Sequence, residues 1–211
     1  MRTSGAYTNR SFSTVRRTWR SDVLTQPECR CTQTLVGARC TSTCLNRRDK
    51  RECPPSCGSM CTNRAYARNE WPATETRSTT RKGNGTFAKA PILKGQTIAS
   101  YGGLLVSVAS AITRAKQGNV YCLGLDDTYS IDGEKVKGQA RLINHSCMPN
   151  AKYETWTTND GMRRRFIIAT HNISTGQEIT TNYGAYMNAT CECNHPACKN
   201  PGKELRNEST K

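Results

Sequence analysis

The chain has 211 residues, 31 of them basic and 16 acidic, giving a formal charge of +15; 35% are hydrophobic and only three are Phe. That length suits one or two domains, with a core too lean to rest on apolar burial alone. No run of about 18 apolar residues occurs, so no transmembrane helix and no membrane partner are expected, and the basic excess favours an anionic partner such as nucleic acid.

Residues 1–25 are rich in Arg, Ser and Thr, with Asp22 the only acid, and are predicted to form a basic flexible flank. The same composition fits a mitochondrial transit peptide. No hydrophobic signal core follows Met1, so clustered cysteines read as metal ligands before disulfides. Seven of the twelve cysteines then fall between residues 29 and 61, with little apolar sequence between them. Residues 62–82 read as a polar connector. From Gly83 onward, short strand-like runs alternate with turn signals: 96–101 (QTIASY), 121–125 and 128–132. Two further runs, 151–157 and 163–170, flank Asn159-Asp160-Gly161, a hairpin turn. One helix is expected within 106–118, ended by Gly118-Asn119. The reading is a mostly β fold with few short helices. Cysteines return at 191–198, and a polar tail closes the chain.

Structural zinc takes four thiolate or imidazole ligands in a tetrahedron. The first cluster, Cys29, Cys31, Cys40, Cys44, Cys53, Cys57 and Cys61, offers seven ligands where two ions need eight. A bridging thiolate closes the gap, and the central Cys40 is placed for it. The expected partition is Cys29, Cys31, Cys40 and Cys44 on one ion, with Cys40, Cys53, Cys57 and Cys61 on the other. The second cluster, Cys191, Cys193 and Cys198, lacks a fourth ligand, and Cys147 is the candidate. Cys122 is left over and reads as an ordinary buried thiol. Eleven thiolates on three Zn²⁺ would lower the charge but leave the protein strongly basic. A secreted disulfide protein is the competing reading; it would leave the first cluster with an odd thiol.

These motifs, taken together, resemble the SET-domain lysine methyltransferases of the AWS–SET–post-SET type. The seven-cysteine run resembles the AWS segment. Lys82-Gly83-Asn84-Gly85-Thr86-Phe87 resembles the opening G-x-G loop, and Tyr101-Gly102-Gly103 the Y-x-G motif. Residues 140–150 (ARLINHSCMPN) resemble the R-F-x-N-H-S-C-x-P-N core, and residues 173–183 (ISTGQEITTNY) the element that carries the catalytic tyrosine. Cys191-x-Cys193-x4-Cys198 resembles the post-SET zinc loop. The order of these motifs is far more specific than any one alone.

The resemblance implies a basic flank at 1–25, an AWS-like two-zinc segment at 26–71, a SET domain at 72–186, a post-SET loop at 187–203 and a tail at 204–211. It implies a β-fold in which the two long motifs cross in a pseudoknot-like arrangement. It also implies S-adenosylmethionine as cofactor beside three Zn²⁺, and transfer of methyl to a histone lysine, with the AWS segment pointing to histone H3 at lysine 36. Tyr183 takes the catalytic role, with Tyr101 and Tyr121 as channel walls. Lys82, Gly83, Asn84, Gly85, Asn119, Val120, Tyr121, Asn144 and His145 are the cofactor candidates. Partners are the histone H3 tail or nucleosome, with non-specific DNA contacts; the protein is expected to be a nuclear, chromatin-associated monomer.

Three positions depart from the pattern: Asn84 where Trp is frequent, Leu104 where Glu is common, and Thr181 in place of an aromatic two residues before Tyr183. That aromatic governs how many methyl groups fit, so the small Thr181 is expected to make room for higher methylation. The departures also support a reading as a catalytically weak nucleosome-binding scaffold, and the arginine-rich start one as a methyltransferase for a non-histone lysine. Arg163-Arg164-Arg165 lie in a predicted strand, so their side chains should alternate between faces rather than form one patch.

Overall fold

A computed structural model of the protein describes residues 29, 40, 43–184, 191–193, 195, 196 and 198. Cys31 and residues 1–25 and 204–211 lie outside the described residues. Among the described residues no helix is long and apolar enough to cross a membrane.

Ten short strands form four small sheets among these residues. The central one is antiparallel, with β9 (Arg163–Ala169) between β3 (Thr97–Ser100) and β8 (Ala151–Thr157). β8 and β9 are the arms of the expected hairpin. Thr158 N–H donates to Met162 O at 2.9 Å and Gly161 takes φ 74°, which the glycine permits without a Cβ clash. One face of β9 carries Ile167 and Ala169 into a core with Ile92, Ile98, Ile131, Ile143, Ile173 and Ile179, all nearly inaccessible to solvent. Each such isoleucine contributes roughly 1.5–3 kcal/mol of burial. Phe166, on the other face, packs against Trp156, Tyr66 and Trp71, with ring centroids about 6 Å apart. Both faces of the sheet are therefore covered.

A second antiparallel sheet sets β6 (Tyr129–Asp132) between β4 (Leu104–Ser107) and β5 (Cys122–Gly124). The expected helix is present as α3 (Val108–Lys116), but Val106 belongs to β4. Ser107 sets the boundary, its side chain capping Ser110 N–H at 3.2 Å. The segment read as a polar connector is structured. α2 (Ala65–Arg68) ends at Asn69 with φ 55°, and β1 (Thr74–Ser78) pairs with β2 (Asn84–Ala88). Its sequence, TETRS, has no apolar alternation; the ladder to β2 makes it a strand. The same pairing draws Asn84 and Gly85 out of the expected loop into β2.

The remaining pair crosses the chain over itself. β7 (Asn144–His145) and β10 (Thr180–Thr181) are parallel neighbours although residues 146–179 separate them in sequence. Ser146 N–H donates to Thr181 O at 2.9 Å. The Asn150 side chain donates to Glu178 O at 2.8 Å and accepts from Thr180 N–H at 2.9 Å. The crossing expected from the two long motifs is thus held by backbone pairing and one amide.

The first cysteine cluster includes α1 (Leu45–Arg48) and joins the central sheet through Glu52 N–H to Thr157 O (3.0 Å) and Thr157 N–H to Lys50 O (2.9 Å). Below it, the buried Glu52 carboxylate accepts the Tyr66 and Ala67 amides at the start of α2. Burial pushes its pKa up, against those hydrogen bonds.

Candidate active site and thiol clusters

A cleft of about 740 Å³ opens where the crossing meets β5 and the β1–β2 turn. That volume suits a cofactor-sized ligand. Among its walls are Lys82, Gly83 and Asn84, then Val120 and Tyr121, then Asn144, and finally Tyr183 after β10. The cleft therefore draws on stretches far apart in the sequence, with Tyr101, Tyr153 and Arg165 adding to these four.

Glu178 ties three of these stretches together. Its carboxylate accepts Lys82 Nζ at 2.7 Å on one oxygen and Asn144 Nδ2 at 2.8 Å on the other. Gly85 backs directly onto this group. A Cβ there would sit 2.8 Å from Glu178 Oε1 and 3.0 Å from Asn144 Nδ2, so only glycine lets β2 approach this closely.

The tyrosines define the other end. Tyr101 is buried, and its hydroxyl donates to Tyr121 O at 2.9 Å. Tyr183 donates its hydroxyl to Ile143 O at 2.6 Å, and its backbone N–H donates to His145 Nδ1 at 3.1 Å. Burial pushes the phenols of Tyr101 and Tyr183 well above the ordinary tyrosine range. Both are therefore neutral at physiological pH, and neither is a base there.

Three side chains fall elsewhere than expected. Asn119 is buried, with its amide donating to Asp132 Oδ1 at 2.9 Å and its carbonyl accepting Tyr121 N–H at 2.8 Å; it shapes the turn and does not line the cleft. His145 points at Cys147, with Nε2 3.6 Å from the sulfur, and its ring meets that of Tyr183 at a tilt of 60°, centroids 5.4 Å apart. Cys122 is half-buried and forms part of the cleft wall rather than the core.

The reading from sequence also missed several residues. Arg141 lies 4.6 Å over the Tyr121 ring, and its buried Nε has no partner among the described residues. Tyr153 and Arg165 reach the cleft from β8 and β9. Their signal was strand alternation: Tyr153, Thr155 and Arg165 share the face that Lys152 and Arg164 do not. The three consecutive arginines separate as expected. Arg163 pairs with Asp126 at 3.0 Å, Arg164 turns under to Asp160 and the Tyr66 ring, and Arg165 donates to Thr155 at 2.9 Å.

The cysteines gather in two places. Cys147, Cys191, Cys193 and Cys198 bring four sulfurs within 4.8 Å of one another. Cys147, two residues past β7, lies 3.8 Å from Cys191 and 3.7 Å from Cys198. In the first cluster, Cys29, Cys40, Cys53 and Cys57 lie equally close, and Cys44 sits 3.7 Å from Cys53. Cys40 is central, 3.5 Å from Cys29, 3.3 Å from Cys57 and 3.8 Å from Cys53. Cys57 lies 3.1 Å from Cys29, Cys44 adjoins Cys53, and Cys31 of the first expected quartet lies outside the described residues. Spacing alone does not say which sulfurs face each other once the chain has folded back. Four converging thiols fit tetrahedral zinc. Asn63 Nδ2 donates to Cys53 Sγ at 3.3 Å, which favours a thiolate there.

A parallel crossing of short strands, a tyrosine-walled cleft beside it and thiol clusters on either side define a SET domain with flanking cysteine segments. Residues 83–184 match the SET domain family model, and the chain belongs to the SET-domain family. Within that family it is 34% identical over 187 residues to the histone-lysine N-methyltransferase ash1 of Drosophila melanogaster, which covers 82% of this chain. It is 30% identical over 192 residues to a human histone-lysine N-methyltransferase, H3 lysine-36 specific, and 32% identical over 187 residues to one of the same description from Mycosarcoma maydis. The chain spans only 8%, 7% and 19% of these relatives' own lengths.

Proposed function

We propose that the protein is a lysine N-methyltransferase module that moves a methyl group from S-adenosylmethionine to a histone lysine, at the lysine-36 position of histone H3. The observation that carries this reading is the crossing, which brings Asn144 and Tyr183 into one cleft with the Lys82–Asn84 segment. The relatives' names favour the histone substrate. They also favour a nuclear, chromatin-bound protein acting on the H3 tail within nucleosomes; the basic charge supports added contacts with DNA.

The residues fit the cofactor. Val120, 80% exposed, offers apolar surface, Gly85 lets the backbone come close, and Arg141 Nε is an unpaired buried donor for an anionic group. Lys82, Gly83, Asn84, Gly85, Val120, Tyr121 and Asn144 would hold it. Bound there, S-adenosylmethionine supplies an electrophilic methyl group on a sulfonium. Zinc is assigned to the thiols: two ions bridged by Cys40, and one on Cys147, Cys191, Cys193 and Cys198.

The substrate lysine must present a lone pair, yet its amine is protonated below a pKa of about 10.4. Tyrosine walls exclude water, and the Arg141 and Arg165 guanidiniums disfavour a second cation, so the neutral amine is preferred in the cleft. Its lone pair would accept the methyl group, and the cofactor would leave as its thioether. Tyr183, neutral and anchored to Ile143 O, turns its remaining lone pair toward the cleft and orients the amine rather than deprotonating it.

The test is transfer of labelled methyl from S-adenosylmethionine to recombinant nucleosomes and free H3, using wild type and Tyr183→Phe. Label on H3 that falls about 10²-fold in the variant, with cofactor binding retained, is the expected result. An H3 with lysine 36 replaced by arginine should take none. Zinc-replete, folded wild type that labels neither substrate would overturn the reading.

A further inference from the structure

Tyr121 lines the cleft one residue before β5, and both polar groups of its backbone are held. Its carbonyl accepts Gly133 N–H at 3.0 Å and the Tyr101 hydroxyl at 2.9 Å. Its N–H lies outside the β5–β6 register and donates to a side chain instead, Asn119 Oδ1, at 2.8 Å. Asn119 is itself tied twice. Its backbone N–H donates to Arg114 O in the last turn of α3 at 3.0 Å, and its Nδ2 donates to Asp132 Oδ1 at 2.9 Å. Asp132, buried, also accepts Glu134 N–H at 3.0 Å and the Arg114 guanidinium at 2.7 Å. Burial works against its charge, but these three donors outweigh burial and hold its carboxyl below the usual carboxylate range. Asp132 has little room to move, because it sits on the middle strand of its sheet, opposite Leu104 of β4 and Cys122 of β5. A helix, a strand and a wall of the cleft therefore meet on one buried carboxylate.

We propose that Asp132 is a positioning residue for methyl transfer, which sets Tyr121 in the cleft wall through the Asn119 side chain. The proposal rests on the methyltransferase reading. Neither Asp132 nor Asn119 lines the cleft, so both act through Tyr121. Glu178 holds Lys82 and Asn144 on the cofactor side, and the two carboxylates divide the cleft between them. An Asn119 released by Asp132 is free to turn its oxygen away from Tyr121 N–H, which leaves the tyrosine held by its carbonyl alone. Transfer between two aligned groups is sensitive to such drift, since a displacement of about 1 Å can cost as much as 10²-fold in rate. The effect therefore belongs to the transfer step more than to cofactor affinity.

The experiment joins transfer kinetics on H3 to fluorine NMR of protein labelled with fluorotyrosine, the Tyr121 resonance being assigned with Tyr121→Phe. Asn119→Asp sets two carboxylates face to face where one hydrogen bond stood. The exchange variant Asn119→Asp/Asp132→Asn re-forms that bond with donor and acceptor reversed. Asn119→Asp should lower kcat about tenfold, the size of one lost hydrogen bond. Its affinity for S-adenosylmethionine by calorimetry should stay within about twofold of wild type, the split expected of a group that acts on the transfer step. Its Tyr121 resonance should shift or broaden, while that of Tyr66 in the outer aromatic cluster stays in place. Asn119→Ala, which cuts the link without adding a charge, should repeat these changes. The exchange variant should recover kcat and the Tyr121 resonance together. An unchanged kcat in the single variants, a loss that the exchange leaves unrepaired, or a Tyr121 resonance that does not respond would overturn the proposal alone. No transfer by wild type to any lysine would overturn it together with the methyltransferase reading.

Discussion

Gly103 follows Tyr101 where β4 begins to run beside β6. A Cβ at this position would run into the Asp132 carbonyl and the Ile131 side chain. Because the obstacle is backbone, Gly103→Ala should cost roughly 1–3 kcal/mol, read as a lowered urea midpoint with unchanged slope. The phenols of buried Tyr101 and of Tyr183, whose ring edge stays exposed, make a second prediction. Unfolded tyrosines release their protons near pH 10, whereas Tyr101 and Tyr183 hold theirs to higher pH because burial disfavours the phenolate. Between the two values the folded chain carries more protons, so stability is full below about pH 10 and falls as pH rises further. Substituting Phe at both positions should flatten this alkaline loss in a series of thermal melts. Tyr183 was legible in the sequence because a long motif surrounds it. Tyr153 and Arg165 were not, since a lone side chain in a strand gives no sign of what its face meets.

Among the elements, the crossing carries the most. Asn150 alone satisfies the Glu178 carbonyl and the Thr180 amide, so Asn150→Ala strands two backbone groups at once. A loss of roughly 2–4 kcal/mol is expected, accompanied by weaker cofactor binding because β10 is released from β7. Glu178→Ala should leave folding closer to intact while loosening Lys82 and Asn144, and calorimetry with S-adenosylmethionine should show a several-fold loss of affinity. Periodicity made the hairpin of β8 and β9 readable, and the Asn-Asp-Gly turn fixed where it bends. β1 was unreadable because its partner, not its composition, makes it a strand. β7 and β10, at two residues each, are too short to show any period at all.

For the molecule as a whole, the cysteine segments set the limits of stability. Among the described residues, the buried hydrophobic side chains of the first cluster are all cysteines, so little aliphatic burial holds it when metal is removed. Chelation should lower the melting temperature and release the contacts of residues 50–52 with Thr157, visible as faster amide exchange along that edge of β8. Metal analysis of the whole chain should return three zinc ions, and Cys147→Ala should return two. The cysteine count and spacing made the clusters legible from sequence; the facing of individual sulfurs depends on how the chain returns, which spacing does not encode. On the proposed histone reading, the charge of +15 predicts that binding to nucleosomes falls steeply with added salt, which a binding titration at two ionic strengths would check.

The parallel pairing of β7 with β10 also fixes a timetable. A ribosome delivers residues 144 and 145 well before 180 and 181, and the hairpin between them can close by itself in the interval. The cleft, however, has no Tyr183, and β7 has no strand partner, until residues 180–183 have emerged and been laid alongside a strand already in place. Of the residues that meet at the crossing, those of β10 and Tyr183 are accordingly placed last, against a hairpin that has already closed.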